Sequence, residues 1–78
     1  MFKKKIGLRI KEIREKNNLS QLDASHKANI DTSYWSDIEN GKVNVSILKL
    51  KNICDCFNIS LKDFFDTNIF QEKNNGNK

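Results

Sequence analysis

Two short helices joined by a tight turn are written into the stretch from Leu19 to Lys42, LSQLDASHKANIDTSYWSDIENGK, and no other part of the chain limits its fold so strongly. Ser20 is placed to cap the first of them. Asp23, three residues on, stands in the capping-box position, from which a second side chain can reach orphan backbone donors. Leu22, Ser25, Lys27 and Ala28 lead to Asn29, a residue that tolerates the left-handed conformation in which helices end. Ile30 follows as a buried hinge contact, and Asp31 caps the second helix. Tyr34, Trp35 and Ile38 form the apolar set of that helix, which stops at Asn40 and Gly41. Thr32, Ser33, Ser36 and Asp37 are left on its other face.

Helical spacing recurs on both sides of this unit. A helix is predicted over about Lys3 to Lys16, with Ile6, Ile10 and Ile13 as its buried stripe and Arg9, Lys11, Glu12 and Lys16 outside; Asn17-Asn18 breaks it. After a polar loop from Lys42 to Val45, Ser46 caps a helix to about Phe57 whose apolar face is Ile47, Leu50, Ile53, Cys54 and Phe57. Asn58, Ile59, Ser60 and Asp63 repeat the earlier turn-and-cap pattern and open a fifth helix from Leu61 to about Phe70. Leu61 and Phe64 are expected to close the core against Ile53 and Phe57. That leaves Phe65 and Ile69 as an apolar patch suited to joining two copies about a two-fold axis. Residues 71–78 are polar and Asn-rich and are expected to be a disordered tail, so that one domain spans residues 1–70.

With 78 residues and no proline, the chain reads as a single all-α domain able to bury only about 60% of its unfolded surface. The apolar run after Lys3-Lys4-Lys5 is too short for a signal peptide or a membrane span, and a cytoplasmic location is expected. The net charge of +4 is unevenly spread. Residues 1–19 carry seven basic side chains against two acidic ones, a balance of +5. Residues 20–45 carry two against four, a balance of −2. Asp23 and Asp31 are accounted for as helix caps. The lysine run reads as a solvated helix start.

Catalysis and metal binding find little support. Cys54 and Cys56, two apart on a helix, point roughly 200° away from each other. They suit neither a disulfide nor joint metal ligation and read as free, buried thiols. His26 has no second histidine or cysteine pair near it, and three scattered glycines make no phosphate cradle. No enzyme, metal, cofactor or small-molecule ligand is expected.

The residues Ser20-Gln21, Ala28-Asn29-Ile30-Asp31, Ser33-Tyr34 and Ile38-Glu39-Asn40-Gly41-Lys42 resemble the Cro/C1 repressor type of helix-turn-helix, the XRE family, and the likeness runs from about Ile6 to Phe65. That resemblance implies a five-helix, lambda-repressor-like DNA-binding domain, with its motif at about 20–41 and its recognition helix at about 32–40. The short chain looks most like small phage repressors and restriction-modification controller proteins. Trp35 stands where the family has an aliphatic core residue. The first motif helix reads Leu22-Asp23-Ala24-Ser25 in place of two polar residues, Leu and Ala, so that Trp35 fills the missing volume if Leu22 is exposed and Ala24 buried. Val45 replaces a frequent proline.

The resemblance further implies a dimer that binds a palindromic operator in double-stranded DNA and acts as a transcriptional regulator. Thr32, Ser33, Ser36 and Asp37 would face base edges in the major groove. Gln21, Tyr34, Asn40, Lys42 and Asn44 would contact phosphates, Tyr34 being equally suited to core packing. Arg14 would pair with Glu39. An ordinary solvated face would show the same four polar residues; their place between a capped turn and the Glu-Asn-Gly-Lys ending favours the groove. The motif charge of −2 keeps a second class open, a helix-turn-helix module for protein contacts or an antitoxin-like partner.

Overall fold

The computed structural model describes residues 2–71, and the expected polar tail lies, apart from Gln71, outside them. Five helices follow one another: α1 (Phe2–Lys16), α2 (Gln21–Lys27), α3 (Thr32–Glu39), α4 (Ile47–Cys56) and α5 (Leu61–Phe65), with a closing 3-10 turn at Asn68–Phe70.

One connector is used three times. Asn18, Asn29 and Asn58 take φ values of 57°, 56° and 55°. The apolar residue after each returns its N–H to a carbonyl five residues back: Leu19 to Arg14, Ile30 to Ser25 and Ile59 to Cys54. This closes the preceding helix. Ser20, Asp31 and Ser60 then cap the next one. Asp31 Oδ2 accepts from the Ser33 and Tyr34 amides at 3.1 and 3.3 Å. Of the two capping boxes only the serine half forms, Ser20 Oγ accepting from Asp23 N and Ser60 Oγ from Asp63 N. Among the described residues neither aspartate reaches back, its side chain being one methylene shorter than the glutamate such a box uses.

Ile6, Ile10, Ile13, Ala24, Ala28, Ile30, Trp35, Ile38, Leu50, Ile53, Cys54 and Phe64 make the core. Trp35 is wholly buried, 6.2 Å from Phe57 between ring centroids. Ala24 is buried and Leu22 is 52% exposed, the arrangement under which the indole is expected to fill the space that the shifted register of α2 leaves. Gly7 lets α1 lie on the end of α3: a Cβ there would stand 2.6 Å from the Glu39 carbonyl oxygen and closer still to that of Ile38. The glycine costs helix α1 about 1 kcal/mol relative to alanine and makes that approach possible.

Three expectations are corrected. Arg9, expected outside, is buried. Its Nε donates to Phe64 O at 2.7 Å and its Nη2 to Asp63 O at 2.9 Å, while Nη1 meets Glu12 Oε1 at 2.6 Å. This explains the second correction, that α5 ends at Phe65 rather than near Phe70. In a continuing helix the Asp63 and Phe64 carbonyls would accept from Thr67 and Asn68. The guanidinium takes them instead, and Thr67 starts the 3-10 turn with its own cap. Third, Ile47 is 62% exposed, because α4 meets the core only from Leu50, one turn further on.

Replacing Arg9 by Met keeps the apolar stem and removes three charge-assisted bonds, two of them to α5, so the free energy of unfolding in urea should fall by about 2–3 kcal/mol. Amide protection should be lost from Phe64 to Phe70. A loss no larger than that of the exposed control Lys11→Met would contradict the clamp.

Candidate nucleic-acid interface

Glu39, the last residue of α3, is buried, and its carboxylate receives four hydrogen bonds. Arg14 of α1 supplies two, Nε to Oε2 at 2.6 Å and Nη2 to Oε1 at 3.1 Å. Gln21 Nε2, at the start of α2, donates to Oε1 at 3.0 Å, and Trp35 Nε1, one turn back on α3, donates to Oε2 at 2.6 Å. Arg14 Nη1 also donates to Leu19 O at 2.9 Å, which ties the connector before α2 to the same cluster. Burial pushes the Glu39 carboxyl up. The hydrogen bonds from Arg14, Gln21 and Trp35, with the Arg14 charge, outweigh that and hold it below the ordinary carboxylate range. The same hydrogen bond raises Arg14, against the opposing effect of its own burial.

The cluster fixes three helices around one anion and cancels one of the four negative charges of the motif. The resemblance pointed to Arg14 with Glu39 alone. Trp35 and Glu39 are four apart on one helix, a spacing from which their contact could have been read. The Gln21 contact links different helices and left no local signal.

The outer face of α3 is short and polar. Ser33 is exposed, and Thr32, Ser36 and Asp37 are half-buried. Ser25 Oγ, wholly buried, donates to Leu22 O at 2.9 Å, so across its 2.7 Å contact with Thr32 Oγ1 it accepts and Thr32 donates. Thr32 therefore offers a methyl group and lone pairs, but no free proton. Asp37 takes part in no ion pair among the described residues. Asn40 is exposed, with Nδ2 at 3.5 Å from Ser36 Oγ. Tyr34 is half-buried against the core.

Beyond α3 the chain turns through Gly41 at φ 71°, and Lys42 N donates to Asp37 O at 2.9 Å. A Cβ at Gly41 would stand 2.5 Å from Lys4 Cγ, so the first turn of α1 lies along the loop. Lys42 and Asn44 are exposed on it. Gln21 is joined to the end of α3 through Glu39, and the loop from Asn40 to Asn44 follows directly from that end. Phe65 and Ile69 are half-buried, Phe65 in a cluster with Phe2, Phe64 and Phe70 and in the wall of a groove that Gly41 and Asn44 of this loop also line. Among the described residues no cluster of His, Cys, Asp or Glu could hold a metal ion, and no helix is long and apolar enough to cross a membrane.

The model of the helix-turn-helix family matches residues 10–64. The control protein C.MunI of Mycoplasma sp is 39% identical over 65 residues, 82% of this chain and 88% of that protein. The control protein C.BamHI of Bacillus amyloliquefaciens is 33% identical over 61 residues, 77% and 75% of the two chains. Among solved structures, the restriction-modification controller protein C.Esp1396I, as a tetramer in complex with its natural 35 base-pair operator, aligns with a TM-score of 0.76 at 33% identity, covering 82% of this chain and 84% of that one.

Glu39→Gln puts an amide N–H where donors already converge, and should cost about 3–5 kcal/mol at neutral pH, as breaking a buried pair does. A carboxyl held low in the folded state contributes stability that is complete above its unfolded value and is lost as pH falls through the folded one. The gap between the two proteins in urea unfolding should therefore be constant near neutrality and close below about pH 4. A gap that persists unchanged to the acid limit would contradict a charged Glu39.

Proposed function

We propose that this chain, which belongs to the helix-turn-helix family, is a sequence-specific transcriptional regulator acting in the cytoplasm without cofactor or catalysis, which binds double-stranded DNA through the major groove and reads a palindromic operator as a dimer. The observation that carries this is the α3 face itself. Four short polar side chains, Thr32, Ser33, Ser36 and Asp37, stand on a helix whose opposite side is anchored through Trp35, Ile38 and Glu39. A rigid helix with an outward polar face fits the one groove in which all four base pairs differ.

Each contact has a role in this reading. Ser33 and Ser36 offer hydroxyls to base edges, Thr32 offers its methyl group to a thymine, and Asp37 accepts from a cytosine amino group. Gln21 keeps one amide proton for a phosphate while the other is held by Glu39. Asn40, Lys42 and Asn44 grip the backbone on the far side of the groove, with half-buried Tyr34 near its rim. Short side chains reach few bases, so DNA shape and bridging water share in specificity. Support also comes from the relative solved on its operator.

The second reading, a module for protein contacts, is favoured by the −2 charge of the motif and by exposed Leu22 on α2. Salt separates the two. A protein holding phosphates by cations loses affinity with a log–log slope of about −0.9 for each of them.

Lys42→Ala should therefore shallow the slope by about 0.9 for every DNA sequence, and Gln21→Ala should weaken all sequences alike. Asp37→Asn should change the bases selected from a random pool, by about 1–3 kcal/mol at one position. Retention on DNA that is indifferent to salt would contradict the reading, and an unaltered selection with Asp37→Asn would remove Asp37 from the groove.

A further inference from the structure

Ser25 lies on α2, 0% exposed, and its hydroxyl has two partners. It gives its proton to Leu22 O at 2.9 Å, the local back-bond of a serine inside a helix, and meets Thr32 Oγ1, on the first residue of α3, at 2.7 Å. A serine hydroxyl has one proton to give, so the contact between the two hydroxyls is made by the Thr32 proton pointing inward. Ser25 is too deep to touch DNA. It fixes what a residue on the outer face can show.

The rest of that face is mixed. Ser33 Oγ makes no hydrogen bond among the described residues, and Ser36 Oγ lies only at an accepting distance of 3.5 Å from Asn40 Nδ2, so both keep a proton to give. Asp37, a carboxylate, can only accept. Thr32 is a hydroxyl by type but matches Asp37 in behaviour, an acceptor with a methyl group beside it. Tying Oγ1 to Ser25 also fixes the Thr32 side-chain torsion, and with it the direction of the methyl.

We propose that Ser25 is a specificity-determining residue: by taking the Thr32 proton, it makes the start of α3 accept an A·T pair and reject guanine. This rests on the DNA-binding reading above and deepens it. In the major groove adenine shows an amino donor and thymine a methyl group, which suit a lone pair and a methyl. Guanine shows N7 and O6, both acceptors. A threonine without a free proton leaves them unpaired, and an unpaired polar group at a contact excludes a wrong partner. Alanine in place of Ser25 would release the Thr32 proton to the groove, and the same threonine could then donate to guanine. No side chain in reach of the DNA would have changed.

The first measurement needs no DNA. The Thr32 hydroxyl proton should appear in the NMR spectrum of the full chain, protected from exchange with water, and should vanish in Ser25→Ala. Alanine is the strongest helix former, so α2 should persist in that variant. Selection from a random DNA pool follows. The unmodified chain should exclude guanine at one position of its bound sites, and Ser25→Ala should raise guanine there about 5- to 10-fold, the worth of one neutral hydrogen bond. The salt slope should hold, because no phosphate contact is altered. Thr32→Val has no hydroxyl to release, so adding Ser25→Ala to it should bring no further gain of guanine. A freely exchanging Thr32 hydroxyl in the unmodified chain, a selection that Ser25→Ala leaves unaltered, binding weakened alike for all sequences, or the same guanine gain in the Thr32→Val background, each overturns the proposal. A protected hydroxyl in a chain that selects no DNA overturns the DNA reading, and the role of Ser25 with it, while leaving the hydrogen bond in place.

Discussion

A single buried carboxylate organises the reading half of this protein. Glu39 sits at the end of α3 with four donors on its two oxygens, from Arg14 on α1, Gln21 on α2 and Trp35 on α3 itself. Removing such a charge from water costs several kcal/mol, and only a full set of partners offsets it. That requirement is what makes the cluster specific. Moving any one of the three helices would leave a donor or the anion unpartnered, so the polar face of α3 is held in one orientation to α2 and to the loop beyond it. Gly7 serves the same end, since the approach of α1 to the Ile38 and Glu39 carbonyls leaves no room for a side chain.

α1 is the spine to which both halves are tied. Arg9 and Arg14, five residues apart, point about 140° away from each other around the helix. Arg14 reaches α3 through Glu39, and Arg9 reaches α5 through the Asp63 and Phe64 carbonyls. The first is an ion pair and the second a cap, and both spend arginine on planar, directional contacts that lysine could not make. The basic excess of residues 1–19 is therefore only partly a surface property. Two of its seven cations are structural.

The helix boundaries were largely open to reading because they rest on neighbours in sequence. Ser20, Asp31, Ser46 and Ser60 cap the helices they precede, and Asn29 and Asn58 turn where a left-handed residue was expected. Trp35 in the core followed from its standing where the resembling family has an aliphatic core residue. What escaped depends on contacts between distant residues. Arg9 meets its carbonyls across more than fifty positions, and no local pattern distinguishes it from the exposed cations Lys11 and Lys16. The early end of α5 is the same fact seen from the other side. Ile47 carries a helical apolar spacing yet lies ahead of the point where α4 reaches the core. In the interface, the α3 face could be named from its resemblance, but the donors on Glu39 and the spent proton of Thr32 needed the packing of α2 against α3.

The fixed orientation of α3 turns on Glu39 being ionised and shared by three helices. Carbon-detected titration of its side-chain carboxyl, followed together with the Trp35 indole N–H proton, addresses that claim without any substitution. The expected result is a midpoint below the ordinary carboxylate value of about 4.3, with the indole proton shifting at the same pH. An ordinary midpoint, or an indole proton indifferent to it, would contradict the shared anion and with it the fixed orientation of α3.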